Sequence, residues 1–298
     1  MKKSISLLLI VFSVLFFAQK NSLKKEISQI TKGKNATVAV SVKGIDFPFE
    51  FNNENSRKKL PLLSVFKFHI ALATLDMVDK GRLNLNQKIF IKKEDLHEKT
   101  WSPLREKFPN GNYEMTLSEL LKYMVANSDN NATDKILNVI GGTQIVQNFI
   151  DSKKIKDFQI RVNEERMNSA DWKSMYENWS TTESLVKSLI KFDKAKILPK
   201  TSRDLLMNIM LGTTTGTNKI VEQLPKGTPV AHRTGSSGKI DGLTVAENDI
   251  AIITLPNGKK YAIAVLVSDS RESYEVNCKM ISDISKTVWN HLNYAAKP

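Results

Sequence analysis

The stretch LPLLSVFKFHIALATLD, from Leu60 to Asp76, decides how the rest of the chain is interpreted. Its composition predicts a helix that is entered through Pro61 and is apolar on nearly every side, as in a buried core helix. Ser64 and Lys67 interrupt this apolar surface. Because residues three apart lie on the same face of a helix, the Lys67 amine can reach the Ser64 hydroxyl. That arrangement is typical of an activated serine nucleophile.

The S-x-x-K spacing does not identify a nucleophile by itself. A lysine near a helix start can extend its amine out of a core, and a serine there can simply cap the helix. The same spacing also begins at Ser22, Ser56, Ser184, Ser188 and Ser236. The rest of the chain therefore has to separate a catalytic pair from a structural one.

The N-terminus has the features of a secretory signal peptide over residues 1–18. Two lysines precede an apolar run that ends at Ala18, and at about 15 residues this run is short for a membrane span. The remaining chain, with 41% hydrophobic residues overall, is long enough for a sizeable core in one large domain or two lobes. We therefore expect a secreted, periplasmic protein without a stable membrane anchor.

The charge pattern and the metal-binding residue types exclude several classes of partner. The net charge is +13, but the lysines are spread along the chain and no aromatic-basic motif accompanies them, which favours a solvated surface over a nucleic-acid partner. Cys278 is the one cysteine, and we expect it to be buried in the last helix. The histidines lack metal-ligand spacing: His69, His97, His232 and His291. We expect no metal and no cofactor.

The order of predicted elements indicates an α/β fold in two lobes. A helix and two strands come first, a long helical block follows, and three strands and a helix end the chain. Capping-box patterns at Thr116 and at Ser180 predict two helix starts. Strands at both chain ends suggest one antiparallel sheet, from residues 19–60 and 212–298, covered by terminal helices. Residues 61–211 form an all-helical lobe, and a cleft is expected between the lobes.

Two further motifs join the Ser64 stretch. Ser128-Asp129-Asn130 lies in ANSDNNATD, where a plain polar turn is the alternative interpretation. Arg233-Thr234-Gly235 lies in AHRTGSSG, where a basic residue on an edge strand is the alternative. Together and in this order, the three motifs resemble those of the serine beta-lactamase and penicillin-binding protein superfamily. The run LGTTTGTNKIVEQLPKGTPVAHRTGSSG is similar to that of class A beta-lactamases, and the resemblance covers essentially the whole mature chain.

A fourth segment, RVNEERMNSADWKSMYENWSTT, is long, polar and without clear periodicity. Loops of this length inside compact domains are usually functional or disordered. The resemblance identifies it as the omega loop, at about residues 163–179. It implies that Glu164 and Asn168, in E-x-x-x-N spacing, hold the hydrolytic water. The implied fold is a five-stranded antiparallel sheet with an all-helical lobe, as in transpeptidases of this superfamily.

The resemblance implies a role for ten residues. The catalytic group consists of Ser64 as nucleophile, Lys67 and Glu164 as alternative acylation bases, and Ser128 as proton relay. The binding group consists of Asn130, Asn168, Arg233, Thr234, Ser236 and Trp101. In the binding group, Asn130 holds the substrate amide, Arg233 and Thr234 bind the substrate carboxylate, and the backbone of Ser236 completes an oxyanion hole with that of Ser64. Trp101 stacks on substrate at the cleft mouth or packs as a core aromatic.

Several positions depart from the common family pattern. Arg233 replaces the usual Lys, and Leu63 stands where many members have a disulfide-forming Cys. Asp134 stands where most class A enzymes have Asn, so a carboxylate would face Glu164 unless it is protonated or bridged by water, which leaves the loop conformation open. Asp134, HRTGSSG and Trp101 resemble the PER/VEB-like branch, which is associated with extended-spectrum cephalosporin hydrolysis.

The sequence thus predicts a monomeric class A serine beta-lactamase that hydrolyses penicillins and cephalosporins through an acyl-enzyme and confers beta-lactam resistance. The alternatives are a DD-peptidase or penicillin-binding protein, and a non-enzymatic penicillin-sensing module of the same fold. Glu164 and Asn168 favour the hydrolase.

Overall fold

The computed structural model describes residues 21–169 and 171–295. The predicted signal peptide, residues 1–18, lies outside the described residues. The helices are α1 (21–31), α2 (Phe66–Asp79), α3 (Pro103–Lys107), α4 (Leu117–Ala126), α5 (Asn130–Ile140), α6 (Thr143–Ser152), α7 (Glu164–Met167), α8 (Thr182–Asp193), α9 (Lys200–Leu211) and α10 (Tyr274–Ala295). The strands are β1 (Thr37–Gly44), β2 (Glu50–Asn52), β3 (Leu60–Pro61), β4 (Lys88–Ile91), β5 (Tyr113–Thr116), β6 (Phe158–Gln159), β7 (Trp179–Ser180), β8 (Val230–Ser236), β9 (Lys239–Ile240), β10 (Leu243–Thr254) and β11 (Lys260–Ser270).

The central sheet is antiparallel and is built from both ends of the chain, as the sequence predicts. Its strand order is β2-β1-β11-β10-β8. The expected five strands are joined by a sixth, the two-residue β9, which pairs with β10 outside this order. The predicted turn at 256–258 connects β10 to β11, and Gly258 supplies its positive φ of 79°.

The two faces of the sheet belong to two different apolar cores. On β11, alternate residues point to opposite faces, as the two-residue period of a strand requires. Ile263, Val265 and Val267 pack with the terminal helices α1 and α10, whereas Ala264 and Leu266 pack with α2 and the helical block. Cys278 is buried in α10, as predicted. No helix of residues 21–169 and 171–295 is long and apolar enough to cross a membrane.

The nucleophile stretch differs from the predicted continuous helix. Pro61 ends the short strand β3, a 3-10 turn covers Leu63–Val65, and α2 begins only at Phe66. The prediction that helix entry lies at Pro61 is therefore wrong. The apolar character is confirmed, because every residue from Phe66 to Leu75 is buried.

The two capping predictions have different outcomes. Thr116 caps α4 in a reciprocal box with Glu119, as predicted. At α8 the cap is Thr181, one residue later than expected, and its side chain accepts from the Ser184 N–H. The hydroxyl of Ser180 instead donates to the Asp157 carbonyl, since Ser180 is part of β7.

Candidate active site

Ser64 lies in a strained turn between the sheet and the buried helix. Leu63, directly before it, has a φ of 44°, which a branched side chain rarely adopts. The side chain of Asn248 on β10 donates to the Pro61 and Leu62 carbonyls at 2.9 and 3.1 Å, which ties this turn to the sheet. Gly235 on β8 permits close approach, because a Cβ there would lie 2.6 Å from the Leu62 oxygen. Two strands therefore fix the nucleophile turn from behind.

Lys67, one turn into the helical stretch, points its amine at the Ser64 hydroxyl. The Lys67 Nζ lies 2.9 Å from Ser64 Oγ, 2.8 Å from the Ser128 carbonyl and 2.5 Å from Asn130 Oδ1. It also forms an ion pair of 2.8 Å with Glu164 Oε1. An ammonium has three protons, fewer than these four oxygens. Lys67 thus connects the Ser64 stretch, the Ser128-Asp129-Asn130 motif and the omega loop.

The environment of Lys67 favours loss of its proton. The side chain is fully buried, and this burial lowers the pKa from its ordinary 10.5 to about 8. The negative charge of Glu164 opposes the shift, and the positive charge of Arg233 adds to it. At neutral pH about a tenth of the amine is therefore neutral and able to accept a proton.

The Ser128-Asp129-Asn130 motif is a turn that opens α5. Ser128 has a φ of 59°, and the buried Asp129 caps the helix by accepting from the Ala132 N–H. Asn130 uses both ends of its amide, because its oxygen accepts from Lys67 and its nitrogen donates to Thr100 Oγ1 at 2.6 Å. The turn thereby presents the Ser128 hydroxyl and the Asn130 amide to the same cleft as Ser64.

Arg233 lies behind the cleft wall. Its side chain is fully buried, and its Nη2 donates to Ser128 Oγ at 2.6 Å. Burial lowers its pKa from 12.5 to about 10, so it stays charged at neutral pH. Its Nε and Nη1 atoms have no hydrogen-bond partner among the described residues. The structure brings Arg233 to Ser128, in place of the direct exposure that carboxylate binding would require.

Thr234 and Ser236, both on β8, line the cavity beside Ser64. The Thr234 hydroxyl bonds with that of Thr215 at 2.9 Å. The Ser236 hydroxyl donates to Glu247 Oε2 at 2.8 Å, because the two residues are register partners on β8 and β10. This cavity is lined by Ser64, Trp101, Ser128, Asn130, Thr215, Gly216, Lys219, Thr234, Gly235, Ser236 and Tyr274.

Glu164 is the first residue of α7 and faces the nucleophile. Its Oε1 lies 3.3 Å from Ser64 Oγ, longer than an ordinary bond between a hydroxyl and a carboxylate. The Asn168 Nδ2 donates to the Glu164 carbonyl at 2.8 Å and lies 3.4 Å from its Oε2. The E-x-x-x-N pair is therefore adjacent to Ser64.

The Asp134 carboxyl, which was expected to repel Glu164, is hydrogen-bonded to the start of α7. Its two oxygens accept from the backbone N–H groups of Glu164 and Glu165, at 2.8 and 2.7 Å. Burial first, and the charge of Glu164 second, raise the pKa of Asp134 from 3.8 to about 7. The raised pKa supports partial protonation, the first of the two expected ways of relieving the repulsion. The two backbone hydrogen bonds were not predicted, and through them Asp134 anchors the start of α7.

The omega loop is closed at its neck by one buried side chain. Asn178 accepts from the N–H groups of Arg161 and Val162 and donates to the Val162 carbonyl. Its own carbonyl accepts from the Leu62 N–H, which joins the neck to the nucleophile turn. The loop is also more regular than its polar sequence indicates, since it contains α7 and a 3-10 helix over Trp172–Glu177.

Trp101 lies at the cleft mouth. It is 54% exposed, and its Nε1 donates to the Asn127 carbonyl at 3.0 Å. The alternative of a core aromatic is therefore excluded for this residue, and its ring is free to contact a ligand.

Six of the ten predicted site residues line this cavity, and Glu164 and Asn168 line a neighbouring one that shares Asn130. Lys67 bonds to residues of both cavities, and Arg233 lies behind Ser128. Sequence reasoning missed three supporting residues: Thr100, which holds the Asn130 amide, Asn178 at the loop neck and Asn248 behind the nucleophile turn. A lone Asn or Thr in a polar segment carries no spacing signal, so only the fold reveals these roles.

Comparisons with known proteins agree with this geometry. The family model for the beta-lactamase enzyme family matches residues 22–292. Beta-lactamase VEB-1 of Pseudomonas aeruginosa is 42% identical over 97% of this chain and 98% of the relative. Extended-spectrum beta-lactamase PER-1 of the same species is 38% identical over 91% of this chain and 88% of the relative.

Solved structures give the same result for the fold. TLA-3 extended-spectrum beta-lactamase superposes with a TM-score of 0.90 at 48% identity and covers 92% of this chain and 99% of that structure. A class A beta-lactamase of Bacteroides cellulosilyticus superposes with a TM-score of 0.87 at 39% identity, over 93% of this chain and 99% of that structure. The chain therefore belongs to the beta-lactamase enzyme family, in the class A branch that includes VEB-1 and PER-1.

Proposed function

We propose that this protein hydrolyses penicillins and extended-spectrum cephalosporins through an acyl-enzyme on Ser64. The observation that carries the proposal is the position of Glu164, which is buried beside both Ser64 Oγ and Lys67 Nζ. An enzyme that is only acylated needs the serine and the lysine, whereas release of the acyl group needs a second base at this place. The names of PER-1 and TLA-3 support the extended-spectrum part of the proposal.

Acylation begins with attack of Ser64 Oγ on the lactam carbonyl. Two groups can take the serine proton: the Lys67 amine in its neutral form, and Glu164, directly or through a water. The lowered pKa of Lys67 and its 2.9 Å distance support the first route. The 3.3 Å distance from Ser64 Oγ to Glu164 Oε1 supports the second.

The negative charge that develops on the carbonyl oxygen is stabilised by the backbone N–H groups of Ser64 and Ser236. Close packing of Gly235 against the nucleophile turn supports this assignment. Removing one such donor typically costs about 100- to 1,000-fold in rate.

Ser128 passes a proton to the lactam nitrogen as the ring opens. Because its oxygen already accepts from the Arg233 guanidinium, its own proton points elsewhere and is more acidic. We assign Arg233 this role in addition to long-range attraction of the substrate carboxylate, which Thr234 contacts directly. Asn130 holds the substrate amide with the second proton of its nitrogen.

Deacylation uses a water held by Glu164 and Asn168. The Asn168 amide and the anchoring of α7 by Asp134 support this position for the Glu164 carboxylate. The water attacks the ester on Ser64 while Glu164 takes its proton.

The test replaces Glu164 with Ala, which should trap the acyl-enzyme. Glu165→Ala is the matched control, since Glu165 lies in the same turn and its side chain is 63% exposed. Mass spectrometry after brief mixing with a penicillin should show a stable adduct on Glu164→Ala and little adduct on wild type and on the control. A long-lived adduct on wild type with negligible product would support a penicillin-binding protein or a sensor instead. A trapped adduct on the control alone would make Glu165 the base.

We further propose that the protein is exported after removal of residues 1–18 and acts as a monomer. We also propose that residues 19–60 and 212–298 form the sheet lobe and residues 61–211 the helical lobe. The helical lobe is not all-helical as expected, because it also contains the short strands β4 to β7. The basic N-terminus with its short apolar run supports export. Mass measurement of the exported protein tests the removal of residues 1–18. Its sedimentation behaviour tests whether it is a monomer.

A further inference from the structure

A buried ion pair that the reaction does not use lies beside the carboxylate end of the cleft. Lys219 Nζ and Glu247 Oε1 are 2.5 Å apart, and the two side chains are 2% and 0% exposed. The ammonium also lies 3.4 Å from the Gly235 carbonyl and 3.3 Å from that of Asn248. Burying two charges costs about as much as their attraction returns, so the pair is not explained by stability alone.

The second oxygen of Glu247 connects this pair to the cleft. It accepts the proton of the Ser236 hydroxyl at 2.8 Å, and the two residues lie directly opposite each other on β8 and β10. A hydroxyl has one proton and a carboxylate can only accept. The Ser236 hydroxyl therefore has only lone pairs left for a ligand, although Ser236 itself lines the cavity.

We propose that Glu247, charge-balanced by Lys219, is a positioning residue that keeps the Ser236 hydroxyl from donating to substrate. The inference rests on the proposed placement of the substrate carboxylate near Thr234. The Thr234 hydroxyl then donates to that carboxylate while it accepts from Thr215, since either hydroxyl of this 2.9 Å bond can be the donor. Lys219 lines the cavity but does not act as a free cation there, since its charge is already neutralised. The pair thereby determines how much more tightly this end of the cleft binds a substrate with a free carboxylate than the corresponding ester.

Two charge-balanced double variants separate the hydroxyl from the ion pair. Lys219→Met with Glu247→Gln removes both charges but keeps an acceptor oxygen for Ser236. Lys219→Met with Glu247→Met removes the acceptor as well and frees the hydroxyl to donate. The measurements are KM and kcat for a cephalosporin with a free ring carboxylate and for its methyl ester.

The Gln double variant should keep the KM of wild type within about threefold. The Met double variant should bind the carboxylate substrate about tenfold more tightly, the lower end of what a hydrogen bond to a charged group contributes. Its kcat and its KM for the ester should change little. In a Ser236→Ala background, the difference between the two double variants should vanish, because the hydroxyl through which they act is gone.

Three results would overturn the proposal. They are a difference that persists without the Ser236 hydroxyl, an equal change for the ester, and equal KM values for the two double variants. Ser236→Ala removes only the hydroxyl and retains the backbone N–H that is assigned to the oxyanion hole, and it provides a test that does not depend on folding of the Met variant. It should raise KM for the carboxylate substrate less than threefold, and a tenfold rise would show that the hydroxyl already donates. Failure of the proposed function would be distinct, since wild type would then turn over no beta-lactam at all.

Discussion

Replacing Asp134 with Asn should change the pH dependence of folding stability in a direction set by the raised pKa of this carboxyl. Burial and then Glu164 raise the pKa to about 7 in the folded protein, against 3.8 as its ordinary value. Between these values the folded protein binds more protons than the unfolded chain, so this contribution to stability is present at low pH and is lost as the pH rises through 7. Near pH 5, two units below the folded pKa, it amounts to about 3 kcal/mol, and near pH 8 it is close to zero.

The Asp134→Asn variant has no titrating group at this position. Its stability relative to wild type should therefore improve by about 3 kcal/mol between pH 5 and pH 8. The absolute difference at each pH also includes one lost backbone bond, because a carboxamide has one acceptor oxygen for the N–H groups of Glu164 and Glu165. Comparing the two pH values cancels that loss.

Urea unfolding followed by circular dichroism at both pH values measures the difference. Asp171→Asn is the control, since it removes a half-exposed carboxylate of the same loop that pairs with Arg166. For the control, the stability difference from wild type should stay nearly constant. If Asp134→Asn also gave the same difference at both pH values, the raised pKa, and with it partial protonation beside Glu164, would be refuted.

Three other predictions concern the chemistry. Ser64→Ala should abolish turnover and covalent labelling by penicillin, and mass spectrometry that found label on Ser128 would contradict the assignment. In Glu164→Gln, the acylation rate constant measured by rapid quench should rise about tenfold per pH unit until the pH reaches the pKa of Lys67. That pKa should lie below about 8, because the Glu164 charge that raises it is gone. A flat profile from pH 5 to 8 would exclude Lys67 as the base. With a net charge of +13, kcat/KM for an anionic substrate should fall with added salt if encounter limits the reaction, and an unchanged value would assign the lysines to solvation alone.

Strand alternation and helix periodicity are local signals, and they predicted the sheet and the helical block. The roles of the ten site residues came from the family resemblance and remain predictions. The sequence could not predict the direction in which a side chain points. Arg233 was expected to contact the substrate carboxylate, yet it is buried behind Ser128 and reaches that hydroxyl. Its orientation depends on the register of β8 against β10, where it opposes Ile250. It also depends on the contact with Ser128, which lies about 100 residues earlier in the sequence. Glu247 carried no signal for the same reason, since a Glu in a strand becomes informative only when its cross-strand partner is known.

For Lys67, a structural role beside Ser64 is compatible with the proposed catalytic role. Leu63 and Ser128 both have positive φ values, so two strained turns meet at the cleft. The Lys67 ammonium bonds to the Ser64 hydroxyl in one turn and to the Ser128 carbonyl in the other. The ammonium protons therefore hold the two turns together, and one of them must leave before Lys67 can accept the proton of Ser64. Burial makes this bridge possible, because it removes competing water, and the same burial lowers the pKa enough for Lys67 to accept a proton.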